Sequence, residues 1–477
     1  MKTKRLSKGL VASILAASAS SLVPAATFTS VGSGAWGNPA SWDIGVGFPN
    51  TYTTDSAIIS ATQTINYDGS VPTLGGNLAV ANGNVITVAG GTLTQTWVPG
   101  APPPFGTTIA IGLSSAGTGT GTLNINNGGS FISGTANTVV VGVSVAALGG
   151  GAATGTVNVN QGTMTLSASA SGSAGGQGLA VGINAAGAGV LNVGDAAGAA
   201  DSSLVDLATN NVTLTVGGTN GEGSGTGTVN IKSDGRVATG TARAYIGDGG
   251  TGTVLVDGGT LAIGVGGLTV GRNGGNGTLN VTSGLATIDG PGGAESFIVA
   301  DGLGSVGTIN ISGGTLNSVN NMLIGVNGGV GTVNQTGGTV TYGGWAAVGY
   351  GTGVGGSSYN ISGGTLSSSA GFEVGADRAG LMTISGTATV NVSAINVGIR
   401  TNGVGTLNIS GGTTNVGTIG FGGSQQISTG NGTISGGIVN ATTVDVGINN
   451  GGTGSLNITG GTTTIGRLGV GGGLGKG

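Results

Sequence analysis

The sequence predicts an all-β chain folded as a parallel β-solenoid of about 13 coils, three short strands per coil, with an irregular N-terminal cap. Three observations lead there. First, the phrase G-T-L-N-I-S-G-G-T-L, a short gap and then L-x-V-G recurs from Gly121 onward, with clear copies at Gly307 (GTINISGGTL) and Gly405 (GTLNISGGTT). Second, the copies open 34–38 residues apart for the first units and then mostly 23–26 apart, the last at Gly454. Third, glycine supplies 111 of 477 residues, charged residues 6% and aromatics 4%. That composition would suggest low complexity, but Leu, Ile and Val keep fixed offsets inside every unit, so a core can be buried.

Each unit contains three alternating segments. In Thr122-Leu123-Asn124-Ile125 the apolar residues face one way and the polar ones the other, as a period of two requires. The pair Gly313-Gly314 marks a bend, and a second segment follows at Thr315-Leu316-Asn317. The third segment is of the type Leu268-Thr269-Val270-Gly271, and a Gly/Asn/Asp-rich turn leads into the next copy. Such a unit cannot bury its apolar face alone; stacked coils can, at about 4.8 Å per coil. No 3.6-residue apolar period supports helices, and most units are too short for the four-stranded blade of a propeller.

The fourth residue of the repeat, counted from its opening position, is Asn in ten of the thirteen copies, among them Asn124, Asn158, Asn280, Asn310, Asn408 and Asn457. Stacking places these residues in one file, where amides hydrogen-bond along the axis. The same file generates the N-x-[ST] triplets at Asn280, Asn310, Asn360, Asn408 and Asn457, which makes them a by-product of the repeat.

Three regions follow along the chain. Residues 1–25 read as a signal peptide: Lys2, Lys4, Arg5 and Lys8, an apolar run to Leu22, then Val23-Pro24-Ala25. Residues 26–106 read as the cap with a first degenerate coil (NVITVAGGTL from Asn84), and residues 107–477 as the solenoid. The 26–106 region holds Trp36, Trp42, Tyr52, Tyr67 and Trp97. These rings read first as packing for a cap over exposed strand edges and second as surfaces for stacking on sugars.

Composition narrows the chemistry. Loss of residues 1–25 removes four positive charges and no negative one, taking the net charge from −4 to −8, unsuited to a nucleic-acid partner. With no Cys and no His, Ser-His-Asp catalysis, Cys-His catalysis and the usual zinc and copper sites are excluded. The densest carboxylates, Asp195, Asp201 and Asp206, have no basic residue beside them, and Asp248, Asp301 and Asp377 read as turn residues. Glycine strings of the G-x-G-x-x-G type open no helix, so no nucleotide cofactor is implied. The candidate ligand-contacting residues are therefore aromatic: Trp36 and Trp42 near the start, and Tyr342, Trp345, Tyr350 and Tyr359 in one pair of coils.

The W-x5-W opening at Trp36 and Trp42, Pro49, Asp55-Ser56-Ala57-Ile58-Ile59 and the G-T-L-N-I-S-G-G-T and L-x-V-G coils resemble the β-strand-repeat surface proteins of Gram-negative bacteria, including autotransporter-type passengers. That resemblance implies an exported, cell-surface or extracellular, outer-membrane-associated protein. Its expected role is structural or adhesive, without catalysis, and its expected partners are glycans, surfaces or other cells. It also implies a C-terminal barrel or sorting anchor, which the sequence to Gly477 does not contain, so a truncated product is expected. The rival expectation is a glycan-processing lyase or hydrolase of the parallel β-helix type, which needs several carboxylates converging in one lateral groove.

Overall fold

In the computed structural model the described residues up to 95 are the strands Thr27–Thr29, Gly34–Ala35, Ser56–Ile59, Thr64–Tyr67, Thr73–Leu74, Leu78–Val80, Asn84–Ala89 and Thr92–Gln95, together with Gly91. From 109 to 471 the chain is described except at 115–116, 134–138, 145–149, 167–177, 196–201, 209–211, 219–224, 291–295, 424–426 and 448–451. The expected signal peptide, Trp36, Trp42, Trp97 and Asp201 lie outside the described residues.

The chain is a parallel β-solenoid. Among the described residues there are 40 strands and no helix, and every strand pairing is parallel. One coil shows the plan: Val306–Ile311, Thr315–Ser318 and Met322–Val326 form one strand in each of three sheets. The next coil repeats it with Val330–Gln335, Thr339–Tyr342 and Ala346–Tyr350. Register is kept residue for residue: Gly307 faces Gly331, Leu316 faces Val340 and Ile324 faces Val348. Near the C-terminal side the strands run unbroken around the corners, as in Val404–Phe421 and Thr429–Val446.

Stacking also reaches into the region read as a cap. Thr27–Thr29 pairs with Ser56–Ile59, which pairs with Leu78–Val80 and then with Ile109–Ser114. The third sheet thus starts well before Asn84, which the degenerate motifs of residues 26–83 did not reveal.

Burial follows the period of two. Leu123, Ile125, Val157, Val159, Leu191, Val193, Val229 and Ile231 are all buried in the first sheet, while the intervening Thr and Asn are half-buried on its outer face. Each buried Val, Leu or Ile contributes roughly 1.5–3 kcal/mol, and in a column each is covered only because the next coil is present. At some steps of the columns a large side chain stacks on a small one. Phe372 follows Ala346 and Tyr342 follows Ser318, so bulk in one coil fills space left by its neighbour.

The Asn file is present and lies on the outer face of the first sheet. Asn158 Nδ2 donates to Asn124 Oδ1 at 2.8 Å, Asn192 to Asn158 at 2.8 Å and Asn230 to Asn192 at 2.9 Å. It resumes with Asn310 donating to Asn280, Asn334 to Asn310 and Asn360 to Asn334 at 2.9–3.1 Å. A second, more exposed file joins Asn391, Asn415 and Asn440 on the second sheet. Leu255, facing both Asn230 and Asn280, interrupts the first ladder. Leu255→Asn should join the two halves and stabilise the chain by about 1 kcal/mol, the net value of a partly solvated amide bond or two. The midpoint of urea unfolding reads this, and a lowered midpoint would show that the ladder contributes nothing there.

Arg378 staples the corner between the third and first sheets. It is buried, with Nη2 donating to the carbonyls of Gly325 and Gly329 and Nη1 to those of Val354 and Gly355, so one guanidinium ties the corners of three successive coils.

Candidate functional site

The three outer faces differ in chemistry. The first and second sheets present mainly Thr, Asn, Ser and Gly, whereas the third collects aromatic and charged side chains. Its outward positions are fixed by register. Ala244, Leu268, Phe297, Met322 and Ala346 face one another along the core, so the residues immediately after them, Tyr245, Thr269, Ile298, Leu323 and Ala347, form an outward row. A parallel row runs through Asp248, Arg272, Asp301, Val326 and Tyr350.

Several of these outward residues are apolar and buried. Ile298, Leu323, Val326, Ala347 and Ala376 form a second hydrophobic cluster, separate from the main core, with Trp345 and Tyr350 packed against it. Beside it runs a groove of about 280 Å³ lined by Arg243, Tyr245, Thr269, Arg272, Ile298, Asp301, Leu323, Val326, Asn327 and Tyr350. At one end the Arg272 guanidinium lies 4.7 Å from the Tyr245 ring centroid, and Arg243 Nη1 donates to Thr269 Oγ1 at 3.0 Å. Along the rim Asn327 Nδ2 donates to Asp301 Oδ1 at 3.4 Å.

Past Tyr350, outside the groove lining, the same face is built around Arg400. Its guanidinium sits 5.1 Å from both the Trp345 and Tyr350 rings, which meet edge to face at 5.3 Å. It pairs with Glu373 at 2.9 Å and approaches Asp377 at 3.9 Å. Burial raises the Glu373 carboxyl above its ordinary 4.5, with the charge and hydrogen bond of Arg400 opposing that rise. A carboxyl that holds its proton more tightly folded than unfolded favours the fold at low pH. The stability of wild type relative to Glu373→Gln should therefore decline as pH rises from the unfolded value of 4.5 through the raised folded value, then level off. Urea midpoints of both proteins across that range check this; a rise instead would mean that Arg400 outweighs burial.

The candidate aromatics separate into two pairs. Trp345 and Tyr350 are outward, half-buried and part of this face. Tyr342 and Tyr359 are core residues, which corrects their reading as ligand contacts. Both stand at inward positions of the alternation: Tyr342 faces Ser318, and Tyr359 sits between Val333 and Met382. Their rings meet Phe372 edge-on at 6.1 and 5.4 Å. The Tyr359 hydroxyl donates to Gln335 Oε1 at 2.7 Å, and Gln335 Nε2 donates to the Thr365 carbonyl at 2.9 Å. Burial pushes both phenols above their ordinary range. Trp36 and Trp42, as noted, fall outside the described residues.

Sequence reading missed Arg243, Tyr245, Arg272, Asp301 and Asn327 as a group. For Tyr245, Arg272 and Asp301 the signal was available in the third segments AYIGD, LTVGR, FIVAD, MLIGV and AAVGY, whose second and fifth residues form the two outward rows; Arg243 and Asn327 flank those segments.

Of the carboxylates named from sequence, Asp206, Asp248, Asp301 and Asp377 each accept a hydrogen bond, whereas at Asp195 it is the backbone amide that bonds. Asp206 caps the Ala208 amide at 2.9 Å, and the Asp195 amide donates to the buried Asp234 at 2.8 Å. Asp248 accepts from Asn273 at 2.6 Å, and Asp377 from the Gly351 amide at 2.9 Å. No group of three or more carboxylates placed to share a metal ion occurs among the described residues. Nor is any helix there long and apolar enough to cross a membrane.

No protein-family model matches the chain, and no curated protein is significantly similar to it. The fold and the chemistry of its third face therefore define the class: a repeat protein of the parallel β-solenoid type with one chemically differentiated side.

Proposed function

We propose that this is an exported β-solenoid of the Gram-negative surface-repeat kind, acting as a non-catalytic structural and adhesive rod. The observation that supports it most is the gathering of the aromatic and several charged side chains on one outer face of a continuous coil stack, while the other two faces are mainly Thr, Asn, Ser and Gly with a few charges such as Asp206 and Arg236. A stiff support of this kind presents one side repeatedly to glycans, surfaces or neighbouring cells, and contacts that are weak singly add up when many rods engage together. The motif resemblance and the signal-like residues 1–25 support export to the cell surface or medium.

The test is expression of the whole chain in a Gram-negative host, followed by fractionation, N-terminal sequencing and electron microscopy of the recovered protein. The expected result is cleavage after Ala25 and rods outside the cytoplasm. Full-length chain beginning at Met1 and confined to the cytoplasm would overturn export.

A second reading, a glycan-processing enzyme, has one observation in its favour: Glu373 and Asp377 converge on Arg400 beside Trp345 and Tyr350. Two carboxylates engaged by one guanidinium lack the open acid and base that such chemistry requires. Release of reducing ends from acidic or neutral polysaccharides, abolished in Glu373→Gln, would establish it.

A further inference from the structure

We infer that the groove between Tyr245 and Tyr350 binds an acidic oligosaccharide, a sugar chain bearing carboxylate groups, lying along the rod axis. This inference rests on the reading of the chain as an adhesive rod and names the ligand class of its differentiated face.

Four observations converge. Shape comes first: the lining crosses the coils of Tyr245, Thr269, Ile298, Leu323 and Tyr350, four inter-strand steps or roughly 19 Å at about 4.8 Å each. A linear oligomer fits that length better than a single sugar. Second, the two ends carry aromatic walls and the floor is apolar, with Ile298, Leu323 and Val326 between Tyr245 and Tyr350. Sugar rings offer C–H faces that stack on such surfaces, and phenol hydroxyls add a polar handle at the edge. Third, Thr269, Asn327 and Asp301 set hydroxyl, amide and carboxylate groups along the lining, the donors and acceptors that sugar hydroxyls need.

The arginines decide between neutral and acidic sugars. The lining has two guanidiniums, Arg243 and Arg272, against one carboxylate, Asp301, in a chain whose overall charge is negative. Lys and Arg are scarce, 12 in all, so two guanidiniums in one groove are a local enrichment; Asp248 beside Arg272 and Asp301 in the lining balance their net charge, and selectivity for a carboxylate rests on guanidinium hydrogen bonding. Arginine offers planar, bidentate recognition of a carboxylate, and Arg272 is held in place over Tyr245 by stacking while also approaching Asp248 at 4.0 Å. Arg243 is oriented by Thr269 on the neighbouring coil. A pair of guanidiniums one coil apart, followed by an apolar, aromatic-ended floor, suits a chain whose first sugars carry the acid and whose later rings stack.

Titration calorimetry on the purified full chain tests this with three probes: a galacturonate oligomer, a neutral galactose oligomer of the same length, and inorganic sulfate. The galacturonate oligomer should bind at least tenfold more tightly than the neutral one, and more weakly as salt is raised. Arg243→Gln with Arg272→Gln should remove that preference, and Tyr245→Ala should weaken both oligomers about tenfold, with circular dichroism and the thermal midpoint unchanged. Should Tyr245→Ala lower the thermal midpoint, Tyr245→Phe with the arginine pair carries the test. Equal binding of the neutral oligomer would overturn the acidic selectivity. Sulfate competing as well as the oligomer would reduce the groove to an anion site and overturn the sugar. Absence of any oligomer binding, or binding unchanged in the variants, would overturn the site. None of these outcomes touches export or rod formation, which fractionation and microscopy read separately.

Discussion

Gly182→Ala should be among the most damaging single-methyl changes in this chain, costing about 3–5 kcal/mol. Gly182 closes a third-sheet strand at φ 70°, in the left-handed region where a side chain costs roughly 1–2 kcal/mol by itself. A Cβ there would also fall onto the carbonyl of Thr226, which opens a coil stacked beyond it. The obstruction is backbone, so it cannot turn aside as a side chain could. Gly227 answers from the other side: its own Cβ would meet the Val181 carbonyl. The L-x-V-G glycine and the opening glycine of G-T-L-N are thus two halves of one close backbone crossing. Ala300 supplies the contrast, since it occupies the equivalent corner with φ 65°. Ala300→Gly should stay within about 1 kcal/mol of wild type, because relief of left-handed strain is offset by the greater freedom of the unfolded glycine. Denaturation combined with hydrogen exchange checks both, as a long repeat array can open locally before it unfolds. A Gly182→Ala loss below about 1 kcal/mol would mean that the corner has room to move.

Arg378→Met should cost about 3 kcal/mol and loosen one corner rather than the whole rod. Removing the guanidinium strands the buried carbonyls of Gly325 and Gly329, and buried acceptors without donors cost about 1–3 kcal/mol each, whereas the carbonyls of the exposed Val354 and half-buried Gly355 can turn to water. Some of the four would be rewetted, so the sum is not expected. Burial also pulls the guanidinium below the ordinary arginine value, with Asp377 opposing, so Arg378 is itself strained by its position. Arg378→Lys should recover part of the loss, since an ammonium reaches fewer of the carbonyls. Faster amide exchange at Val326, Val330 and Gly356, with the Gly121–Val193 coils unchanged, is the expected pattern. Uniform loss of protection across the chain would show that the staple supports global rather than local order.

Fold and face were legible to different degrees, for physical reasons. Leu123, Asn124 and their successors stand at fixed offsets because a period of two leaves each position only one of two sides, so sheet, core and ladder could be read directly. The same rule, applied to SSYNI, gives Tyr359 the inward repeat position that Leu123 holds in its own coil; grouping it with Trp345 by sequence nearness alone misplaced it. The third face was harder because its members are 24 to 29 residues apart and differ in kind from step to step, from Tyr245 to Thr269 to Ile298. Only register turns them into one surface. Arg378 gave no signal at all, since its acceptors are carbonyls, which any sequence provides.

Each coil is hydrogen-bonded to the coil before it and the coil after it, and the register step in the middle of the chain is 24 residues, as from Gly307 to Gly331. Under tension between its two ends, such a chain yields in instalments. One coil tears free, releases on the order of 80 Å of slack, and exposes the next coil to the same load. The force never has to break the whole stack together, and each event absorbs work before the following one starts. A tether of this design would lengthen under shear while keeping hold, and the coils still stacked would keep their outer face in register.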